Sequence, residues 1–132
     1  MINVWTDGAA RPNPGKGGIG VVIRGETWDY TVSLPLPGKV SSNQAEYCAL
    51  IHALTELIRN NCTDRPIQVY SDSQLMVYQM NGQWQIDRGG NYTEAYQQAV
   101  VLARKFSDLS FDWISRKENT EANALASKAL KG

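Results

Sequence analysis

The chain has 132 residues, 42% hydrophobic and 20% charged, which suits one globular domain with a full core and excludes a disordered, collagen-like or coiled-coil chain. Basic and acidic residues number 13 each, so no basic tail or run advertises nucleic acid, and a binder of polyanions built this way must concentrate its charge locally or use neutral donors. Cys48 and Cys62 form no disulfide framework and match no zinc spacing, no apolar run approaches the roughly 18 residues of a membrane helix, and the start Met1-Ile2-Asn3-Val4-Trp5 lacks the regions of a signal peptide, so a cytoplasmic protein with free thiols is expected.

Residues 2–7 alternate, with Ile2, Val4 and Thr6 on one face and Asn3, Trp5 and Asp7 on the other, which predicts a strand. The Gly- and Pro-rich run from Gly8 to Gly18 reads as a loop. Strands follow over Ile19–Ile23 and Thr27–Leu34, and Pro35 and Pro37 are expected to end the antiparallel meander. Apolar residues at Tyr47, Leu50, Ile51, Leu54, Leu57 and Ile58 predict a helix over 44–60, with Asn43 as a plausible N-cap. A strand over Ile67–Tyr70 leads into a short helix through Met80, capped by Ser71 or Ser73. Gly82 and Gly89-Gly90 bracket a surface segment. A helix over 93–106, a strand over Leu109–Ile114 and a last helix patterned by Ala122, Leu125, Ala126, Ala129 and Leu130 complete the chain. The order β-β-β-α-β-α-α-β-α predicts a single α/β domain over 1–132, with a mixed sheet and helices on its faces.

Asp7 closes the first predicted strand, Asp72 follows the fourth, and Glu46 falls in the first turn of the long helix. Strands that end at one sheet edge point their last side chains into one crevice. Three carboxylates meeting there repel and call for a counter-charge, which divalent cations with hard oxygen ligands supply. Each residue also has a plain alternative. Asn43-x-x-Glu46 fits a capping box, Asp72-Ser73 fits a helix cap, and Asp7-Gly8 fits a turn.

Four segments resemble type 1 ribonuclease H, in order over nearly the whole chain. They are Thr6-Asp7-Gly8-Ala9 with Asn13-Pro14-Gly15 and Gly17-Gly18-Ile19-Gly20; Ser42-Asn43-Gln44-Ala45-Glu46-Tyr47; Tyr70-Ser71-Asp72-Ser73-Gln74; and Trp113-Ile114-Ser115-Arg116 with Asn119-Thr120-Glu121-Ala122-Asn123-Ala124-Leu125-Ala126. The resemblance implies a ribonuclease H-like fold: a five-stranded mixed sheet, three antiparallel strands then parallel ones, flanked by helices. It implies an endonuclease that hydrolyses the RNA strand of RNA–DNA hybrids with two magnesium ions (Mg2+; manganese, Mn2+, as the alternative), leaving 3′-hydroxyl and 5′-phosphate ends. It makes Asp7, Glu46 and Asp72 metal ligands. The family's fourth ligand is an aspartate, and here that position is Asn123, which offers a carbonyl oxygen but no charge. A natural active variant and a hybrid-binding domain inactivated at Asn123, naturally or by engineering, both follow. Other nucleases of the wider superfamily, such as integrases and exonucleases, match the Gly-rich segment and Asp72-Ser73-Gln74 less well.

Many relatives carry a His before the last helix; the aligned residue here is Arg116, which stays protonated and suits phosphate contact or product departure rather than base catalysis. The only His, His52, lies inside the long helix and reads as packing. By resemblance, Asn13, Ser42, Asn43 and Gln74 approach the minor groove or sugar edges, and Ser41 and Asn13 lie near a DNA-phosphate pocket. Neutral groups suit the wide minor groove and its 2′-hydroxyls. The stretch Gly82–Gly90, with Trp84 and Arg88, is short and nearly neutral where many relatives carry a lysine-rich protrusion, and no separate hybrid-binding domain is expected before residue 1. Modest affinity with a shallow salt slope is therefore expected. Trp84 is expected either to stack on a sugar or base or to pack at the surface. The expected state is a monomer with no membrane association and no obligatory protein partner.

Overall fold

The computed structural model describes residues 1–87 and 89–131; Arg88 of the predicted surface segment lies outside the described residues. Strands β1 (Ile2–Arg11), β2 (Gly15–Arg24) and β3 (Asp29–Val40) precede helix α1 (Ser42–Arg59). Strand β4 (Ile67–Ser71), helices α2 (Gln74–Met80) and α3 (Thr93–Ala103), strand β5 (Leu109–Trp113), a one-turn 3-10 helix (Arg116–Glu118) and helix α4 (Thr120–Lys131) follow. The five strands lie in the order β3-β2-β1-β4-β5. β1 pairs antiparallel with β2, and β2 antiparallel with β3, while β4 runs parallel to β1 and β5 parallel to β4. This is the expected mixed sheet.

One face of the sheet packs on α1 and α2, and α3 packs against α1. Val4, Val21, Ile23, Ile67 and Val69 meet Tyr47, Leu50, Leu54, Leu57, Met76 and Val77 there, all of them fully buried. Each buried Leu of α1 contributes about 2 kcal/mol by leaving water, which anchors the helix far more strongly than its cap does. The other face of β1–β3 is covered by α4, whose small Ala122, Ala126 and Ala129 lie against Gly18 and Gly20. Among the described residues, no helix is long and apolar enough to cross a membrane.

Four local expectations are corrected. The run from Gly8 to Gly18 is not a loop, since β1 continues to Arg11 and β2 begins at Gly15. Glycine is needed at Gly8 and Gly20 for close approach: a side chain there would collide with the backbone of Ala45 in α1 and of Ala122 in α4. Pro35 and Pro37 do not end β3, which runs on to Val40. β3 is an edge strand, where a residue without an N–H is tolerated on the outer side. Finally, α1 is capped by Ser41 rather than Asn43, and the reciprocal bonds of its capping box join Ser41 and Gln44. Glu46 is thereby released from helix capping. At the next helix, Ser73 is the cap, and Ser71 instead accepts the Ser73 N–H at 3.1 Å. α3 stops at Ala103, short of the predicted 106.

Candidate active site

The β1–β4 ladder ends at the Thr6–Ser71 pair, and the β4–β5 ladder ends at Ser71–Trp113. Asp7 and Asp72 come next on neighbouring parallel strands, so both project from the same edge of the sheet. Asp7 pairs with Gly20, whose open face meets α4. α1 begins over this edge, and Gly8 lets it come close enough for Glu46 Oε1 to accept the Gly8 N–H at 2.9 Å. Carboxylate oxygens of Asp7, Glu46 and Asp72 therefore gather within 4.8 Å of one another. They line a cleft of about 440 Å³ together with Arg11, Ser42 and Arg116.

Burial and mutual repulsion dominate the electrostatics. Desolvation first, and the neighbouring Asp72 second, push the Asp7 carboxyl up to about 7, against the opposing pull of Arg116. Desolvation, then Asp7 and Asp72, hold Glu46 well above the usual carboxylate range, although the Gly8 N–H and Arg116 favour its ionised form. Arg116 opens the 3-10 turn, which is capped by Ser115 and Glu118. Its side chain is exposed on the cleft, and its positive charge acts on both Asp7 and Glu46.

Asn123 sits in the second turn of α4. Its Nδ2 donates to the Arg116 carbonyl at 3.0 Å, which leaves Oδ1 buried with no hydrogen-bond partner among the described residues. Asp72 Oδ2 is likewise buried and unpartnered among the described residues. Buried acceptors without donors are rare and costly. An all-oxygen donor set with orphaned lone pairs and self-repelling carboxylates fits a hard divalent cation.

The residues expected to meet substrate gather partly at the start of α1. Asn13, in the β1–β2 turn, accepts the Ser42 N–H through Oδ1 at 3.0 Å. Ser41 is buried; its hydroxyl accepts the Gln44 N–H and donates to Asn91 Oδ1 at 3.0 Å. Asn43 is exposed on α1, and Gln74 is exposed at the start of α2, beyond Asp72. Trp84 is 47% exposed and meets Tyr78 edge-on at 4.9 Å. His52 lies away from the cleft, half-buried, with Nε2 2.8 Å from the Tyr30 hydroxyl; desolvation pushes its pKa down, which fits the packing role.

Two contacts at the site were not singled out from sequence. Trp113 Nε1 donates to the Asp72 carbonyl at 3.2 Å, and Asn119 Nδ2 donates to the Thr6 carbonyl at 2.9 Å. The available signal was local: Asn119 stands immediately before α4 and four residues before Asn123, the place of a helix cap.

A family model described as reverse transcriptase-like matches residues 5–129. The bifunctional protein Rv2228c of Mycobacterium tuberculosis is 34% identical over 133 residues, covering 98% of this chain and 35% of that protein. Ribonuclease HI of Halobacterium salinarum is 33% identical over 130 residues, covering 98% of this chain and 64% of that protein. The chain thus spans about a third of the mycobacterial relative and under two thirds of the halobacterial one. The crystal structure of LC11-RNase H1 in complex with RNA/DNA hybrid superimposes with a TM-score of 0.90 at 33% identity, covering 99% of this chain and 97% of that one.

Proposed function

The chain belongs to the type 1 ribonuclease H family, and from that premise we propose that it is an endonuclease hydrolysing the RNA strand of RNA–DNA hybrids to 3′-hydroxyl and 5′-phosphate ends. The observation that carries the reading is the meeting of Asp7, Glu46 and Asp72 within 4.8 Å at one sheet edge, in a cleft shared with Arg116. These carboxylates and Asn123 Oδ1 would hold two divalent cations, Mg2+ first and Mn2+ as the alternative, which when bound supply the charge that clamps the attacking and leaving oxygens of a phosphodiester.

The chain's own residues divide the remaining work. Gly8 N–H anchors Glu46 to β1. Arg116 is permanently protonated, so it takes a phosphate contact or helps product leave and does not accept a proton. Asn13, Ser42, Asn43 and Gln74 offer neutral donors and acceptors to sugar edges, and Ser41 with Asn13 forms the floor for a DNA phosphate. These groups test for 2′-hydroxyls and backbone shape rather than base identity, so sequence preference is weak. The protein acts as one catalytic domain over 1–132, a cytoplasmic monomer with no obligatory protein partner.

The neutral Asn123 supports a second reading, a domain that holds hybrid without cutting it. The orphaned Oδ1 supports the first reading, because it leaves an oxygen able to bind a cation on the residue that the resemblance aligns with the family's fourth ligand. Cleavage of a labelled hybrid with Mg2+ or Mn2+, against an EDTA blank and beside Asn123→Asp, separates the two. We expect the unaltered chain to cut, and Asn123→Asp to bind metal more tightly while losing stability in EDTA. Cleavage by Asn123→Asp alone would establish the binding domain instead.

A further inference from the structure

Asp7 and Asp72 stand one residue beyond the last β1–β4 and β4–β5 backbone pairs, where the strands part to open the cleft. Asp7 stays paired with Gly20 of β2, whereas Asp72 lies past the end of its strand, where peptides are the first to fray. Here the pressure is greater, because the two carboxylates repel across the opening. On the β4 side the last backbone bond runs from the Ile114 N–H to the Ser71 carbonyl at 3.0 Å, and the Asp72 carbonyl lies one residue beyond it.

Two side chains, one from the last residue of β5 and one from just before α4, reach the carbonyls beside the two aspartates. Trp113 Nε1 takes the Asp72 carbonyl at 3.2 Å, and Asn119 Nδ2 takes the Thr6 carbonyl at 2.9 Å. Asn119 is 1% exposed, and its own carbonyl accepts the Asn123 N–H at 3.0 Å. One residue therefore ties the Thr6–Asp7 peptide to the helix that carries Asn123. The Asn119 Oδ1 has no partner among the described residues. An orphaned buried oxygen disfavours the fold, so the part of this amide that the position uses is its N–H.

We propose that Asn119 and Trp113 are positioning residues that hold the Asp7 and Asp72 peptides against carboxylate repulsion, so that the cation site is assembled before a cation arrives. The inference rests on reading the cleft as a metal-dependent nuclease site. It assigns the β5–α4 segment a second duty: besides presenting Arg116 and Asn123, it sets the separation of the two aspartates.

The test uses Trp113→Phe, which keeps an aromatic ring and removes the N–H, and Asn119→Leu, which removes the donor and the orphaned oxygen at similar volume. Three readouts are taken on each: calorimetric titration with Mn2+ alone, kcat and KM for hybrid cleavage, and Tm in EDTA. Loss of an outer hydrogen bond to a ligand-bearing group typically costs about 10- to 100-fold in metal affinity or activity. We expect Mn2+ affinity and kcat to fall about tenfold with KM for hybrid unchanged, at temperatures where circular dichroism shows both variants folded. A lowered Tm with unchanged Mn2+ affinity and kcat would make both contacts merely structural and overturn the inference. If Asn119→Leu does not fold, Trp113→Phe decides alone. If the unaltered chain binds Mn2+ but does not cut hybrid, the nuclease reading fails while the Mn2+ arm still decides the positioning role; if it binds no Mn2+, both fail.

Discussion

Glu46 and Tyr47 are neighbours in α1, and each buries a polar group with opposite consequences. Tyr47 donates its hydroxyl to Gln79 Oε1 at 2.6 Å, and Gln79 Nε2 continues to the Tyr92 hydroxyl at 2.9 Å and the Gln85 carbonyl at 3.3 Å. Tyr92 also accepts the Asp87 N–H and stacks on Tyr47 at 5.9 Å. The network is closed, and it pins the segment that carries Trp84 onto the core. Burial pushes the Tyr47 phenol well up, so it remains a neutral donor. Glu46 instead turns one residue's rotation away into a group of acids whose repulsion no internal partner cancels. The difference teaches where this fold accepts instability: polar groups that complete their bonds hold the molecule together, and those left open are kept for a ligand.

Removing the open group should give the largest effect. Glu46→Gln preserves the acceptor for the Gly8 N–H but deletes the charge, so hybrid cleavage should fall to the EDTA background. Its Tm in EDTA should rise, by on the order of 1 kcal/mol of relieved repulsion and desolvation. A variant that cuts normally, or melts lower, would break the contrast with Tyr47.

The pH dependence of the metal-free protein comes next. The folded Asp7 carboxyl titrates at about 7, against an ordinary value of 3.8. Between those values the native state holds more protons than the unfolded chain, so stability falls as pH rises through the window. Urea melts in EDTA should lose roughly 3 kcal/mol between pH 4 and pH 8, with Glu46 adding in the same direction. Saturating Mg2+ should flatten the high-pH end of that slope, because a cation that binds only the native state stabilises it. A profile that rises with pH, or that Mg2+ leaves unchanged, would mean that the carboxylates do not repel one another in the folded protein.

The smallest effect sharpens the other half of the comparison. Tyr47→Phe leaves Gln79 Oε1 buried without its donor and should cost about 1–2 kcal/mol, a Tm drop of several degrees in a chain of this size. Cleavage measured well below Tm should keep its kcat, since the network touches the core and not the cleft. A loss of kcat without a loss of Tm would show that the Trp84 segment couples to the site through Gln79.

Much of the site was legible because it follows local periodicity. The alternation of β1 places Asp7 opposite the core face that Val4 and Thr6 occupy, and the stripe of α1 places Tyr47, Leu50, Leu54 and Leu57 inward. The capping residue was less legible. Ser41 and Asn43 are both good N-caps, and the choice is decided by the Gln44 amide and by the approach of Glu46 to Gly8, which α1 makes only when docked. Gly8 and Gly18 read as loop residues from sequence because local propensity cannot distinguish a glycine needed for a turn from one needed for contact with a helix. Trp113 and Asn119 escaped for a similar reason: their donors serve carbonyls of residues 72 and 6, distant in the chain.

The sequence by itself determined the elements, their order, the inward faces and the three acidic residues, because each of these is written within one or two turns or strands of chain. The tertiary structure decided that β4 lies beside β1 and that α1 starts over their common edge. Only that arrangement brings Asp7 and Asp72 together, because strand order is a contest between long-range pairings that no local pattern records. It also decided which buried polar atoms find partners and which do not. Satisfaction depends on the atoms that folding brings near, and so the orphaned oxygens of Asp72, Asn119 and Asn123 exist only in the folded molecule.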